Sequence, residues 1–201
     1  MRRSNVLKTA QSGLALSLAE AKAHLNITFA TDDTLLTAYI GIATQYCEQY
    51  CVRKLINQTW YLYLDQWPVG TSLEMSFGNL QSISSIKYYD VDDTEYTFSS
   101  GDYTVDTASV PGRVVLKYNE TWPTESLRPD NPILIEYVTG YGAAQANITD
   151  VNIVHALKMM VAHYYENREP LYISTNSNTV SPLPKTVDAL LYPFRVWRWV
   201  V

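Results

Sequence analysis

From Leu35 onward the apolar positions Leu35, Leu36, Tyr39, Ile40, Ala43, Tyr46, Cys47 and Tyr50 recur at helical spacing, which predicts a long amphipathic helix. Asp32 and Asp33 just ahead of it offer an N-cap. A shorter helix precedes it, opened by the Ser17–Glu20 capping-box pattern and running to about Leu25. Beyond Leu55 the period falls to two. Trp60, Leu62 and Leu64 face one way and Thr59, Tyr61 and Tyr63 the other, a strand ended by Trp67-Pro68. Further strand-like pieces follow at Leu73 to Phe77, Ile83 to Tyr89, Thr94 to Phe98, Tyr103 to Val105, Arg113 to Tyr118 and Ile133 to Val138. Their short spacing predicts antiparallel pairing, with Asp90 to Asp93 at a hairpin tip.

Gly140-Tyr141-Gly142 closes the last strand, and Thr149 or Asp150 caps a third helix striped by Ile153, Val154, Leu157, Met160, Val161 and Tyr164. That helix is expected to end near Glu169-Pro170. Residues 171 to 182 are rich in Ser, Thr and Asn and read as a mobile loop. Pro184 starts a fourth helix, Lys185 to Leu191, which Pro193 stops. The fold class is therefore α+β: a bundle of three to four helices with an inserted antiparallel β subdomain and an extended C-terminal arm. The expected divisions are 1–54 for the first helices, 55–142 for the β subdomain, 143–191 for the later helices and 192–201 for the arm.

With 201 residues and 47% apolar content the chain can bury a core without disulfides or metals. Charged residues are only 17%, while Tyr contributes 16 and Trp 5. Large aromatic side chains favour protein contacts, so the composition suits an assembly protein. The net charge of −5 is unevenly spread. Residues 1–8 carry Arg2, Arg3 and Lys8, and the C-terminal end carries Lys185, Arg195 and Arg198 against Asp188. Between them, residues 60–150 hold thirteen acids and four bases, an acidic block that repels nucleic-acid phosphates.

No apolar run is long enough for a membrane span, and the basic start is followed by too short an apolar stretch for a secretion signal. Cys47 and Cys51 share one helical face and read as reduced core thiols. The histidines His24, His155 and His163 have no ligand spacing with them, so no metal and no cofactor is expected. The Asp90 to Asp93 stretch imitates a calcium loop, but Glu95 stands where glycine is required and Gly101 where glutamate is. No nucleophile elbow, P-loop or metalloprotease motif occurs, so the chain reads as not an enzyme.

The order of several motifs is telling. Leu16 to Leu25, the Asp32-Asp33 helix, Leu55 to Trp60, Trp122-Pro123, Gly140-Tyr141-Gly142, His163 to Glu169 and Leu190 to Arg195 together resemble the head-tail connector (adaptor) proteins of long-tailed phages, prophages and gene-transfer particles. Asn176-Ser177-Asn178 and the Trp199-Val200-Val201 end depart from that pattern. The resemblance implies a structural virion protein at the head-tail junction, made in the bacterial host cytoplasm. It further implies a self-associated ring of twelve copies beneath the portal protein and above a tail-side stopper or tail-terminator protein, with DNA passing through without specific binding.

Three groups of residues are the expected contact sites. The portal-binding arm is Tyr192, Phe194, Arg195, Val196, Trp197, Arg198 and Trp199, which Pro193 sends into an extended path. The acidic tip facing the channel or the tail is Asp90, Asp92, Asp93 and Glu95. Subunit contacts fall to Tyr39, Tyr46, Tyr50, Glu166, Arg168 and Glu169. Two readings from other classes are a sequence-independent nucleic-acid-binding module using the basic termini and an enzyme of unrecognised type.

Overall fold

A computed structural model describes residues 2–168, 172–174, 177–179 and 185–197, the residues of the second and third of these ranges by their backbone alone. The strands are β1 (Arg3–Thr9), β2 (Gln58–Leu64), β3 (Ser72–Glu74), β4 (Leu80–Tyr89), β5 (Glu95–Thr97), β6 (Tyr103–Asp106), β7 (Arg113–Leu116), β8 (Ile133–Thr139), β9 (Tyr172–Ser174) and β10 (Ser177–Thr179). The helices are α1 (Leu18–Leu25), α2 (Asp33–Cys51), α3 (Val151–Glu166) and α4 (Lys185–Leu191). The α+β class is as expected. The chain divides into two compact units, Met1–Ser12 with Asn57–Tyr141 and Gly13–Ile56 with Gly142–Val201.

The β unit holds a five-stranded antiparallel sheet in the order β1-β2-β8-β4-β5 and a three-stranded sheet in the order β3-β7-β6. Alternation explains its core: Leu62 and Leu64 of β2, Ile133, Ile135 and Tyr137 of β8, and Ile86 and Tyr88 of β4 all face inward. They pack with Leu73, Met75, Val114 and Leu116 of the small sheet. Trp67 stacks on Trp122 at 5.0 Å, with Phe98 5.7 Å from Trp122, so much of the aromatic content is spent inside. Gly140 ends β8 with φ +146, and a Cβ there would lie 2.6 Å from the Asn57 Cα. Only glycine fits.

One division needs correction. The N-terminal segment expected with the first helices instead forms β1, paired antiparallel with β2 from Arg3↔Leu64 onward. All seven of its residues are exposed, so it has no buried face to announce it in the sequence.

In the helical unit, α2 packs on α3, and α3 on α1 and α4. Leu36, Ile40, Ala43, Cys47 and Cys51 meet a core that includes Ile153, Ala156, Leu157, Met160, Val161, Val187 and Leu191. The capping box is half formed: the Ser17 Oγ accepts from the Glu20 N–H at 3.2 Å, while the Glu20 carboxylate turns to Gln145 and Lys158. Asp32 makes no side-chain cap on α2. Its carboxylate accepts instead from the Tyr165 hydroxyl at 2.6 Å and from Arg168 at 3.3 Å, tying the end of α3 to the start of α2.

α3 ends at Glu166, earlier than expected. The expected loop at 171–182 contains an antiparallel hairpin, β9 with β10, paired Ser174↔Ser177 and Tyr172↔Thr179. After α2 the chain reverses at Val52 in a left-handed conformation. There the buried Glu48 carboxylate accepts from the Leu55 N–H at 2.9 Å and pairs with Lys54 at 3.0 Å. The carboxyl group is 6% exposed, and these bonds offset the cost of removing it from water.

Candidate assembly surfaces

The C-terminal segment does not leave as a free extended arm at Tyr192. Tyr192–Phe194 form one 3-10 turn with Pro193 in its first positions, and the chain becomes extended only at Arg195. The Val196 N–H donates to the Cys51 carbonyl at 2.9 Å, and the Arg53 Nε donates to the Phe194 carbonyl at 2.6 Å. Val196 is 6% exposed. Arg195 lies over the Tyr50 ring at 5.4 Å and over Trp197 at 4.7 Å. The physical reason is the apolar side of the segment: burying Val196 beside the end of α2 removes it from water. Tyr192 and Trp197 remain more than half exposed, edge to face with each other at 5.6 Å. Arg198 and Trp199 lie outside the described residues.

The acidic tip is a turn held by its own carboxylates. Asp90 Oδ1 accepts from the Asp92 and Thr94 N–H groups, each at 2.9 Å, and Asp90 Oδ2 accepts from the Tyr96 hydroxyl. Those bonds hold the Asp90 carboxyl below the usual carboxylate range, the Thr94 N–H foremost. Glu95 pairs with Lys87 at 2.7 Å and accepts from the Tyr89 hydroxyl at 2.6 Å, bonds that likewise lower its carboxyl pKa. Asp93 pairs with Arg128 at 3.1 Å, and Arg128 also covers the Tyr89 ring at 4.2 Å. Asp92 is exposed, and among the described residues neither it nor Asp90 has an ion-pair partner. The sequence therefore overstates the free negative charge here. Val91, Asp93, Arg128, Pro129 and Asp130 line an open cleft of about 400 Å³ beside the tip.

The helix tyrosines expected at subunit contacts are half-buried within their own unit. Tyr39 lies 6.0 Å from Tyr164. Tyr46 stacks on Tyr50 at 6.2 Å and donates to Asp188 Oδ1 at 3.0 Å. Burial, aided by that aspartate, pushes the Tyr46 phenol up to about 12. Glu166 and Arg168 are exposed, Arg168 pairing with Asp32 and lying 4.9 Å from the Tyr165 ring. Glu169 lies outside the described residues.

The two cysteines are free and buried. Desolvation raises the Cys47 thiol pKa well out of the reactive range and that of Cys51 to about 11, so neither is a nucleophile at neutral pH. Among the described residues no helix is long and apolar enough to cross a membrane. Sequence reasoning missed β1 as a surface, and its only signal was the placement of Val6 and Leu7 among polar neighbours, both over 40% exposed.

Residues 15–106, which run from α1 through β6, match the family model of the phage gp6-like head-tail connector proteins. Over that segment the chain is similar to the head-tail connector family. No curated protein matches it. Solved structures share its fold over nearly all of its length. A chain from the neck of an empty GTA particle, computed with sixfold symmetry, is 21% identical with a TM-score of 0.77, over 98% of this chain and 97% of that one. A chain from the virion of a native gene transfer agent particle is 22% identical with a TM-score of 0.76 and the same coverage. A chain from the neck of a native GTA particle, computed with twelvefold symmetry, is 21% identical with a TM-score of 0.77, again over 98% and 97%. In this chain the matched segment includes both halves of the acidic hairpin, β4 and β5, and excludes β1.

Proposed function

We propose that this chain is a head-tail connector, a non-catalytic structural protein of a virion neck and one copy of a ring that joins the capsid to the tail and lets DNA pass. The observation that carries the reading is the family match over 15–106, joined to a fold shared over 97% of a neck chain. Twelve copies suit the twelvefold symmetry with which one of those necks was computed. Such a ring requires heterologous contacts, one face of the subunit meeting a different face of its neighbour.

Within that reading the portal protein meets the exposed face of the C-terminal segment, Tyr192 and Trp197. Phe194, Arg195 and Val196 hold this face against the end of α2 through the bonds to Arg53 and Cys51. The exposed carboxylate of Asp92 faces the channel or the tail-side stopper or terminator. Glu166 and Arg168 take part in subunit contacts through their exposed sides. The acidic block over 60–150 keeps DNA from adhering during passage.

Electron microscopy of the purified chain, alone and with its portal protein, tests the assignment. Closed rings coaxial with the portal are expected. A chain that stays monomeric beside an assembled portal refutes it, and so does DNA binding with a steep salt slope in place of ring formation.

A further inference from the structure

The five-stranded sheet ends in two unlike open edges. Among the described residues β1 pairs only with β2 and β5 only with β4, and every residue of both strands is exposed. An open edge presents unpaired N–H and C=O groups that readily accept another strand. The charges at the two edges are opposite. Residues 1–19 contain Arg2, Arg3 and Lys8 and no acid, while residues 88–112 contain six acids and no base.

Register shows that these charges stand at the same level. Arg3 aligns across the sheet with Leu64, Ile133, Tyr88 and Tyr96, and Ser4 aligns with Tyr63, Leu134, Lys87 and Thr97. One residue further, Arg2 falls level with Tyr89 and Glu95, at the end of the sheet where the Asp90 to Asp93 turn lies. Strand direction adds a second constraint. Four successive antiparallel joins leave β1 and β5 running the same way. When a rotation keeps each subunit upright, as in a ring, the β5 edge of one copy meets the β1 edge of the next in parallel. A β1–β1 contact would be antiparallel and isologous, and would bring the basic ends of like strands into one interface.

We propose that β1 of one copy adds in parallel to β5 of its neighbour, continuing the sheet from subunit to subunit with Arg2 and Arg3 against Glu95 and the Asp90 to Asp93 turn. This rests on the ring reading above and names the surfaces that close it. Main-chain bonds along a short parallel ladder supply the contact, and the opposed charges fix its partner and register. Arg2, Asp90 and Asp92 have no ion-pair partner among the described residues, so their charges are free for a neighbour.

The test places Ser4→Cys and Thr97→Cys in one full-length chain, which is assembled with the portal protein, treated with a short bis-maleimide and run on a denaturing gel. The buried native thiols stay silent, so products report only the two edges. A ladder of multimers is expected, at least tenfold more abundant than with either single substitution. Rings in the microscope without a ladder overturn the edge pairing and leave the connector reading standing. Neither rings nor ladder overturns both, and dimers from Ser4→Cys alone show isologous pairing and overturn the proposal. In a second arm, Arg2→Glu with Arg3→Glu is expected to weaken ring assembly about tenfold, with Asp92→Lys restoring it and melting curves confirming that each variant is folded. Unchanged assembly in the double reversal refutes the role of charge in choosing the partner edge.

Discussion

Replacing Val196 by alanine measures whether the C-terminal segment is part of the subunit core. Val196 is 6% exposed, and its N–H is bonded to the Cys51 carbonyl at 2.9 Å, so the side chain is fixed in place when it is truncated. Removing two buried methyl groups costs about 1.6 kcal/mol at ~0.8 kcal/mol each, and an unfilled space raises this to about 2 kcal/mol. The helical unit contains 44 residues in 13–56 and 60 in 142–201, 104 together. For a unit of that size about 4 °C of melting temperature is lost per kcal/mol, so a fall of roughly 8 °C is expected in the helical unit's transition. Trp197→Ala, at a side chain 55% exposed, should move it far less. A stop codon after Leu191 removes the same contacts but also spares the ordering of six described residues at ~1–2 kcal/mol each, so its net effect is a poorer measure than the point substitution. Thermal unfolding followed by calorimetry and circular dichroism reads the shift. If Val196→Ala melts within 1 °C of the unsubstituted protein, the segment is not core and the buried docking described above is wrong.

Glu48→Ala leaves the Leu55 N–H and the Lys54 ammonium without their carboxylate, and a loss of about 2–3 kcal/mol is expected in denaturant unfolding, with Glu48→Gln recovering part of it through its amide oxygen. Asp106 is held down to about 2 by the Ser109 hydroxyl and N–H and by Arg113. Because its folded pKa lies below the ordinary 3.8, its contribution is present above that value and is lost as pH falls towards 2; a carboxyl titration by NMR with a midpoint near 4 contradicts this. Cys47 and Cys51 should resist a thiol reagent at pH 8 in the folded chain and both react once it is denatured, and prompt modification of either without denaturant refutes their burial.

Where a segment carries its own burial signal, sequence and structure coincide. The stripe Leu36, Ile40, Ala43 and Cys47 lies buried in α2, and Leu62 and Leu64 lie buried in β2, because period alone decides which face leaves water. β1 has no such signal. Arg-Ser-Asn-Val-Leu-Lys-Thr is a strand because β2 offers it an edge, a long-range condition that no local pattern encodes. Asp32 reads as a cap in sequence, yet Tyr165 and Arg168, more than 130 positions away, claim its carboxylate. The Ser-, Thr- and Asn-rich stretch hides a hairpin for a related reason, since composition reports polarity and not pairing. Candidate contact residues carry no such local signal, because their choice rests on residue type.

Aromatic abundance suggested contact surfaces, but abundance does not give location. Trp67, Trp122, Phe98 and Tyr103 pack against one another in the β unit, and Tyr39, Tyr46 and Tyr164 are half-buried in the helical unit. These rings have already left water in large part and have less to contribute to association, since burial yields free energy only once. The same holds for charge: Glu95 and Asp93 are paired within the subunit, so they can meet a partner only by sharing or exchanging a cation. The groups still able to act between molecules are the ones the fold leaves uncovered. Among them are Tyr118 at 91% exposure, the Tyr192–Trp197 pair, the carboxylate of Asp92 and the two open edges of the large sheet. Of these, only the two edges are at once complementary in charge, level in register and alike in direction, which is what contact between identical copies arranged head to tail requires.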